Sequence, residues 1–348
     1  MRISTYVQAG LGFGLAIAIL AACSGGNSSG SQMMPSTGMS SQHLRSWMAA
    51  DAKQKNLLYV SLGTEAGEDA ILVWTYPKGK FEGVITGGGL NDPRGLCVDK
   101  SGDVFVTNFY GADILEYAHG GTTPIATLSD SGEWPYGCAV DPTTGNLAVT
   151  SYYGPPYGEE PGDVAIYQNA QGMPTTYSAP NFFLYDYCGY DNQGNLYIDG
   201  NTGGGGWPDF LFAELPAGSQ SFTDIALPQR IYLPNGVQWD GKHVAVGDET
   251  AGGTALSAIY RFNITNGTAT ELHHVTTLER QGGGSAPTSV TAVWIQGSDV
   301  VGANGASASG DNNPGLWEYP AGGAAIKIFP WGPSGGYQGE GLTVSKAQ

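Results

Sequence analysis

Positive charge is scarce in this chain. Lys and Arg number 14 against 31 Asp and Glu, for a net charge of −17. That balance excludes nucleic acid and an anionic membrane surface as partners and suits a soluble exported domain. Cysteine is also rare, at 4 residues, and no pair has the CxxC spacing of a zinc or redox site. No GxSxG elbow, P-loop or HExxH motif occurs, which removes the commonest serine hydrolase, nucleotide-binding and zinc-protease signatures. The 5 His are scattered. His43 and His119 stand alone, His243 falls on a predicted strand, and His273-His274 falls on a predicted outer strand. Adjacent strand residues point to opposite faces, so that last pair is expected to be a poor bidentate site.

The N-terminus is the one extended apolar stretch. Arg2 precedes a run from Leu11 to Leu20, followed by Leu20-Ala21-Ala22-Cys23. The run is a signal-peptide core, too short to span a membrane. Its end resembles the bacterial lipoprotein signal, in which Cys23 becomes the lipidated N-terminus. The resemblance implies export, with signal 1–23 removed and a lipid as the only membrane contact. Ser24 in place of an Asp favours the outer membrane if the cell is Gram-negative; the alternative is a periplasmic location. Residues 24–56 then read as a Gly/Ser-rich tether followed by a short helix over 43–55, where Leu44, Trp47 and Met48 have helical spacing.

What the chain has in abundance is glycine, 55 residues, with 20 Pro and 19 Tyr. That is the composition of many short strands joined by tight turns. The strands repeat. RGLCVDKSGDVFVTN (94–108), YGCAVDPTTGNLAVTS (136–151), DYCGYDNQGNLYIDG (186–200) and NGVQWDGKHVAVGDE (235–249) share one plan: an apolar strand ending in Asp (Asp99, Asp141, Asp191, Asp240), a turn, and a second strand. A unit recurring roughly every 40–50 residues is the mark of a repeat architecture, and small antiparallel sheets close radially into a propeller.

Counting innermost strands at 94–99, 136–141, 186–191, 235–240, 288–295 and 340–345 gives an all-β, six-bladed β-propeller over residues 57–348. The domain begins on a second strand, LLYVS (57–61), and ends on an innermost one, EGLTVS (340–345). The C-terminal strand is therefore expected to complete the first blade in a three-plus-one closure that removes an open edge. Cys97, Cys138 and Cys188 all fall on innermost strands. A Cys138–Cys188 disulfide is conceivable between neighbouring blades. The usual separation of such strands favours three buried free thiols instead.

The strand–turn–strand unit resembles NHL-repeat propellers. The blade count and the segment PNGVQWDG are similar to the gluconolactonase/senescence-marker family of sugar-lactone hydrolases. The resemblance spans nearly all of 57–345 at the level of pattern.

In a propeller the loops entering the innermost strands converge on one mouth of the central channel. The residues opening those strands are Arg94, Tyr136, Asp186, Asn235, Thr288 or Ser289, and Glu340. Glu340, Asp186 and Asn235 form an oxygen set suited to Ca2+ or another divalent cation. The lactonase resemblance implies that such an ion polarises a lactone carbonyl while a carboxylate activates water, with Arg94 orienting the substrate. The match is incomplete. The family's acid lies one blade after its Asn, where this chain has Pro287-Thr288-Ser289. A second candidate is a set of aromatic loops: GEWPY with Trp134 and Tyr136, SYYGPPYGEEPGD with Tyr152, Tyr153, Tyr157, Glu159 and Glu160, and GNTGGGGWPD with Trp207. Aromatics and carboxylates on loops of a rigid scaffold form sugar- or peptide-binding surfaces.

Clear repeats with an incomplete catalytic set point first to a monomeric binding module for a small molecule, glycan or protein, with no assured catalysis or cofactor. A metal-dependent lactone or ester hydrolase comes second and a structural envelope protein third.

Overall fold

The strand Leu57–Leu62 is buried along its whole length. Its alternation explains why. Leu58, Val60 and Leu62 join an apolar cluster with Val301, Leu316 and Phe329, whereas Leu57 and Tyr59 join one with Val104, Val106 and Leu115. Successive side chains of a strand face opposite ways, and here each face meets a different sheet. The same holds around the ring, and an apolar cluster fills every gap between neighbouring blades. A sheet sandwiched on both sides needs apolar residues at successive positions, which the β-branched and aromatic content of these strands provides.

The computed structural model describes residues 45–348 apart from 64–68, 131–132, 157, 204–208, 255, 283–288, 305–312 and 331–337. It is a six-bladed β-propeller. Blade one holds Leu57–Leu62, Ala70–Thr75 and Phe81–Thr86, with the C-terminal Gly339–Ser345 as its innermost strand. The register runs antiparallel from Leu57 opposite Ser345 to Leu62 opposite Gly339, so the ring closes as the sequence implies. Ser345 adds a tie to blade two, where its hydroxyl donates to the Gly102 carbonyl at 2.7 Å and lies 2.6 Å from His119 Nδ1. The innermost strands of blades two to six are Pro93–Val98, Pro135–Val140, Leu184–Tyr190, Pro234–Trp239 and Val293–Gln296.

The recurring Asp is a turn former. Asp99 Oδ1 accepts from the Ser101 and Asp103 amides, Asp141 from Thr143, Asp191 from Gln193 and Asn195, and Asp240 from Lys242 and His243. A carboxylate bonding amides two to four residues on fixes the hairpin, which accounts for the most legible feature of the repeat without any chemistry.

Two expectations are corrected. The segment over 43–55 is no helix where it is described. Trp47–Met48 forms a strand on the outer edge of blade one, paired with Val84 and Gly83, and only Ala52–Gln54 makes a 3-10 turn. Pairing with an open edge satisfies more backbone than an isolated turn of helix could. His273 and His274 lie between the strands Thr268–Glu271 and Thr276–Glu279, in neither of them. In blade six the outer strand is the short Lys327–Ile328, while Gly323–Ala324 joins blade five in parallel.

Candidate functional site

Each innermost strand of blades one to five is irregular at one place, where a β-bulge sets an extra residue against its partner strand. The bulges fall at Glu340, Arg94–Gly95, Tyr136, Asp186–Tyr187 and Asn235. Bulges re-aim side chains at the rims of closed sheets. The residues that open the strands are thus singled out by backbone geometry as well as by position. On the next strand outward, a hydroxyl reaches across to the following blade. Ser61 donates to the Arg94 carbonyl, and Thr107 and Thr150 donate to the Tyr136 and Asp186 carbonyls, each at 2.7 Å. The equivalent place in blade four is Asp199, a carboxyl where the other three have a hydroxyl.

Glycine follows the bulges because neighbouring blades touch there. A Cβ on Gly341 would lie 2.2 Å from the Arg94 carbonyl oxygen, and one on Gly137 would lie 2.6 Å from that of Asp186. This close approach corrects the cysteine expectation. Cys97 and Cys138 are joined in a disulfide with a Cα–Cα distance of 5.7 Å, and Cys188 alone is free and buried. The inner strands are nearer than blades generally are, and register selects the pair. Cys138 opposes Val149 and Cys188 opposes Ile198, but Cys97 opposes Phe105, one step further along. That step turns Cys97 toward blade three. The Cys138 sulfur lies 4.0 Å from the Phe105 carbonyl oxygen, and the Cys188 sulfur lies 3.9 Å from that of Ala148. Each of these two sulfurs faces the preceding blade, so Cys138 and Cys188 do not face each other. Burial also pushes the Cys188 thiol far up, which makes it unreactive.

Arg94 and Glu340 meet at the mouth. Arg94 Nη1 donates to Glu340 Oε2 at 2.7 Å, and its Nε and Nη2 reach Asp92 Oδ2 at 3.0 and 2.9 Å. Burial works against the guanidinium's charge, but the two carboxylates outweigh it and hold the group firmly protonated. Beside this network lies a carboxyl pair. Burial raises Asp186 to about 7, and burial together with the Asp186 charge raises Asp199 well above the ordinary carboxyl range. Asp199 is wholly buried. Its Oδ1 accepts from the Tyr187 amide at 2.7 Å, and its Oδ2 has no hydrogen-bond partner. The Tyr187 ring sits over the channel, with its hydroxyl donating to the Thr291 carbonyl of blade six at 3.2 Å. Behind it runs a central cavity of about 260 Å³ lined by innermost strands, including Leu96, Cys138, Val237 and Leu342.

The aromatic candidates converge on this mouth. The Tyr136 ring stacks on Tyr152 at 5.2 Å and meets Tyr187 at 5.5 Å. Trp134 meets Phe109 at 4.7 Å, Tyr110 at 5.2 Å and Tyr153 at 6.0 Å, and Tyr153 reaches Phe183. The Arg94 guanidinium lies 5.2 Å from the centre of the Phe109 ring. A continuous wall of rings therefore runs from blade two to blade four, with Tyr110 half-exposed at its rim. Mutual pairing of Trp134 with Tyr152 and Tyr153 through backbone hydrogen bonds holds the two loops together. Phe109, Tyr110 and Phe183 escaped the sequence reading. Asn-Phe-Tyr-Gly after a strand was a visible signal, but only the ring closure brings it against Trp134. On the same loops, burial and the charges of Asp163 and Asp130 raise Glu133 to about 8, and burial with Asp130 raises Asp163 to about 7. Trp207, Tyr157, Thr288 and Cys23 lie outside the described residues.

The oxygen set proposed for a cation can be examined in place. Glu340 is engaged by Arg94. Asn235 donates its amide to the Val290 carbonyl at 2.6 Å, and its Oδ1 packs over Gly247, where a Cβ would lie only 1.8 Å away. Asn235 Oδ1 is buried without a hydrogen-bond partner, whereas Glu340 Oε2 is held by the Arg94 guanidinium, with which an ion at these oxygens would compete. Among the described residues, no group of three or more His, Cys, Asp and Glu could hold a metal.

No protein-family model and no curated protein matches the chain. Among solved structures, a chain of a nidogen/laminin complex aligns with a TM-score of 0.57 at 15% identity, covering 84% of this chain and 99% of its own. A protein of unknown function from Bacteroides caccae aligns with the same TM-score and coverage at 10% identity. At such identities the likeness is one of fold, and the fold is that of a six-bladed β-propeller.

Proposed function

We propose that the protein is an exported, lipid-anchored binding module whose ligand sits on the aromatic mouth of the propeller. The observation that carries this is the continuous ring wall from Tyr110 through Trp134 and Tyr153 to Phe183, set beside the Arg94–Glu340 ion pair. Stacking surface next to fixed polar groups on a rigid scaffold is the composition of a recognition surface. Export is supported by the Leu20-Ala21-Ala22-Cys23 pattern and by the Cys97–Cys138 disulfide, a bond that persists in oxidising compartments. The hydrolase alternative rests on the resemblance to sugar-lactone hydrolases and requires Glu340 to leave Arg94 for a cation. The binding reading requires no such rearrangement.

The test is a titration followed by intrinsic fluorescence, using neutral oligosaccharides, short peptides and organic amines as probes. At least one class should shift the signal, and a Trp134→Ala/Tyr153→Ala double variant that still folds should lose the response. A silent panel, or a response that survives the double substitution, refutes the binding face.

A further inference from the structure

The wall-bearing half of the ring has an uneven charge. Between Lys100 and Arg230 the sequence contains no Lys or Arg, while Asp and Glu recur throughout. That stretch builds nearly all of blades two to four and supplies every ring of the wall. The basic group at the mouth, Arg94, is already shared between Asp92 and Glu340. Around the rings, several carboxyl oxygens are buried without a hydrogen-bond partner. Asp199 Oδ2 lies behind Tyr187 in a residue with no exposed surface, and Glu133 Oε2 and Asp163 Oδ1 lie under the loops that carry Trp134 and Tyr153. The rings also stand at steep angles to one another, 90° for Tyr110 on Trp134, 75° for Trp134 on Tyr153 and 82° for Tyr152 on Tyr153. These are edge-to-face contacts, in which the edge of one ring meets the electron-rich face of the next.

We propose that the ligand of this wall is a small organic cation, a quaternary or protonated amine, held over the faces of Tyr110, Trp134 and Tyr153 and drawn there by the excess of acidic over basic residues in blades two to four. The inference rests on the binding-face reading and narrows it. A positive charge is attracted to ring faces, most strongly to Trp. It would also offset the excess negative charge of this half of the ring. An anion would face repulsion here, and a neutral ligand would leave the carboxylates as they are.

The experiment compares choline with its uncharged isostere 3,3-dimethyl-1-butanol on the full-length protein, by calorimetry and Trp fluorescence. Choline should bind at least about tenfold more tightly, the preference expected of a partly desolvated cation on an aromatic face. Trp134→Ala should abolish that preference, and Trp134→Phe should restore part of it. Equal binding of the two compounds overturns the inference, as does a choline response untouched by Trp134→Ala. If an oligosaccharide binds in a Trp134-dependent way and choline does not, the cation is wrong and the binding face stands. If no probe of either kind binds, both fall.

Discussion

Asp186→Asn should stabilise this protein, and by more at pH 8 than at pH 5. Burial holds the Asp186 carboxyl at about 7, against an ordinary value of 3.8. The groups around it are Asp199, Tyr136 and Tyr187, none of them cationic, and the guanidinium of Arg94 is committed to Asp92 and Glu340. Below about pH 4 the carboxyl is neutral in both the folded and unfolded chain and costs nothing. Between 4 and 7 the unfolded chain ionises while the folded one keeps its proton, so folding stability falls as pH rises, and above 7 the full cost applies. At ~1.4 kcal/mol per pH unit the displacement amounts to about 4 kcal/mol. Asp199 adds in the same direction, because removing the Asp186 charge removes one cause of its own elevation. Asn keeps the shape and cannot ionise. Urea unfolding of wild type and variant should give a gain about 2–3 kcal/mol larger at pH 8 than at pH 5. A gain equal at the two pH values, or a loss at pH 8, would show that Asp186 is paired and ionised in the fold and would refute the argument.

Three further outcomes follow from the geometry. Deleting residues 338–348 should destroy cooperative unfolding, and the milder Leu342→Ala should cost about 2–5 kcal/mol by chemical denaturation, since Leu342 is 3% exposed within the blade one–blade six cluster; a truncated ring that melts like wild type would disprove the closure. Ala139→Cys should form a second disulfide with Cys188, because Ala139 stands opposite Ala148 as Cys97 stands opposite Phe105, and the Cys188 sulfur lies beside the Ala148 carbonyl; peptide mapping that finds residue 139 paired elsewhere, or reduced under oxidising conditions, would contradict the inter-blade register. Cys23→Ala should abolish incorporation of labelled fatty acid and normal signal cleavage, and label appearing equally on the variant would remove the anchor from the proposal.

The blade count, the closing strand and the turn residues were legible because they are local or periodic. Alternation in LLYVSL, an Asp at each first hairpin and a chain that starts on a second strand are facts of order along the sequence. The outer elements were less legible. Trp47 and Met48 have helical spacing, yet the exposed edge of blade one offered them a partner strand. The Gly323–Ala324 segment left its own blade for a neighbour's edge. Edges recruit whichever segment lies near, and nearness across blades is not written in local pattern.

For the site, sequence alone determined which residues open the innermost strands, since repeat alignment names Arg94, Tyr136, Asp186, Asn235 and Glu340 directly. It also determined the charge asymmetry of blades two to four. Only the tertiary structure decided what those residues do to one another. The inner strands approach until glycine is required, which brings Cys97 to Cys138, places Glu340 on Arg94 across the seam of the ring, and buries Asp186 against Asp199. The disulfide and the ion pair join residues of different blades, at distances set by how closely the sheets pack around the axis, whereas Asp186 and Asp199 share blade four and are buried together by its neighbours. Packing distance is a property of the closed ring, so no single repeat could have carried it.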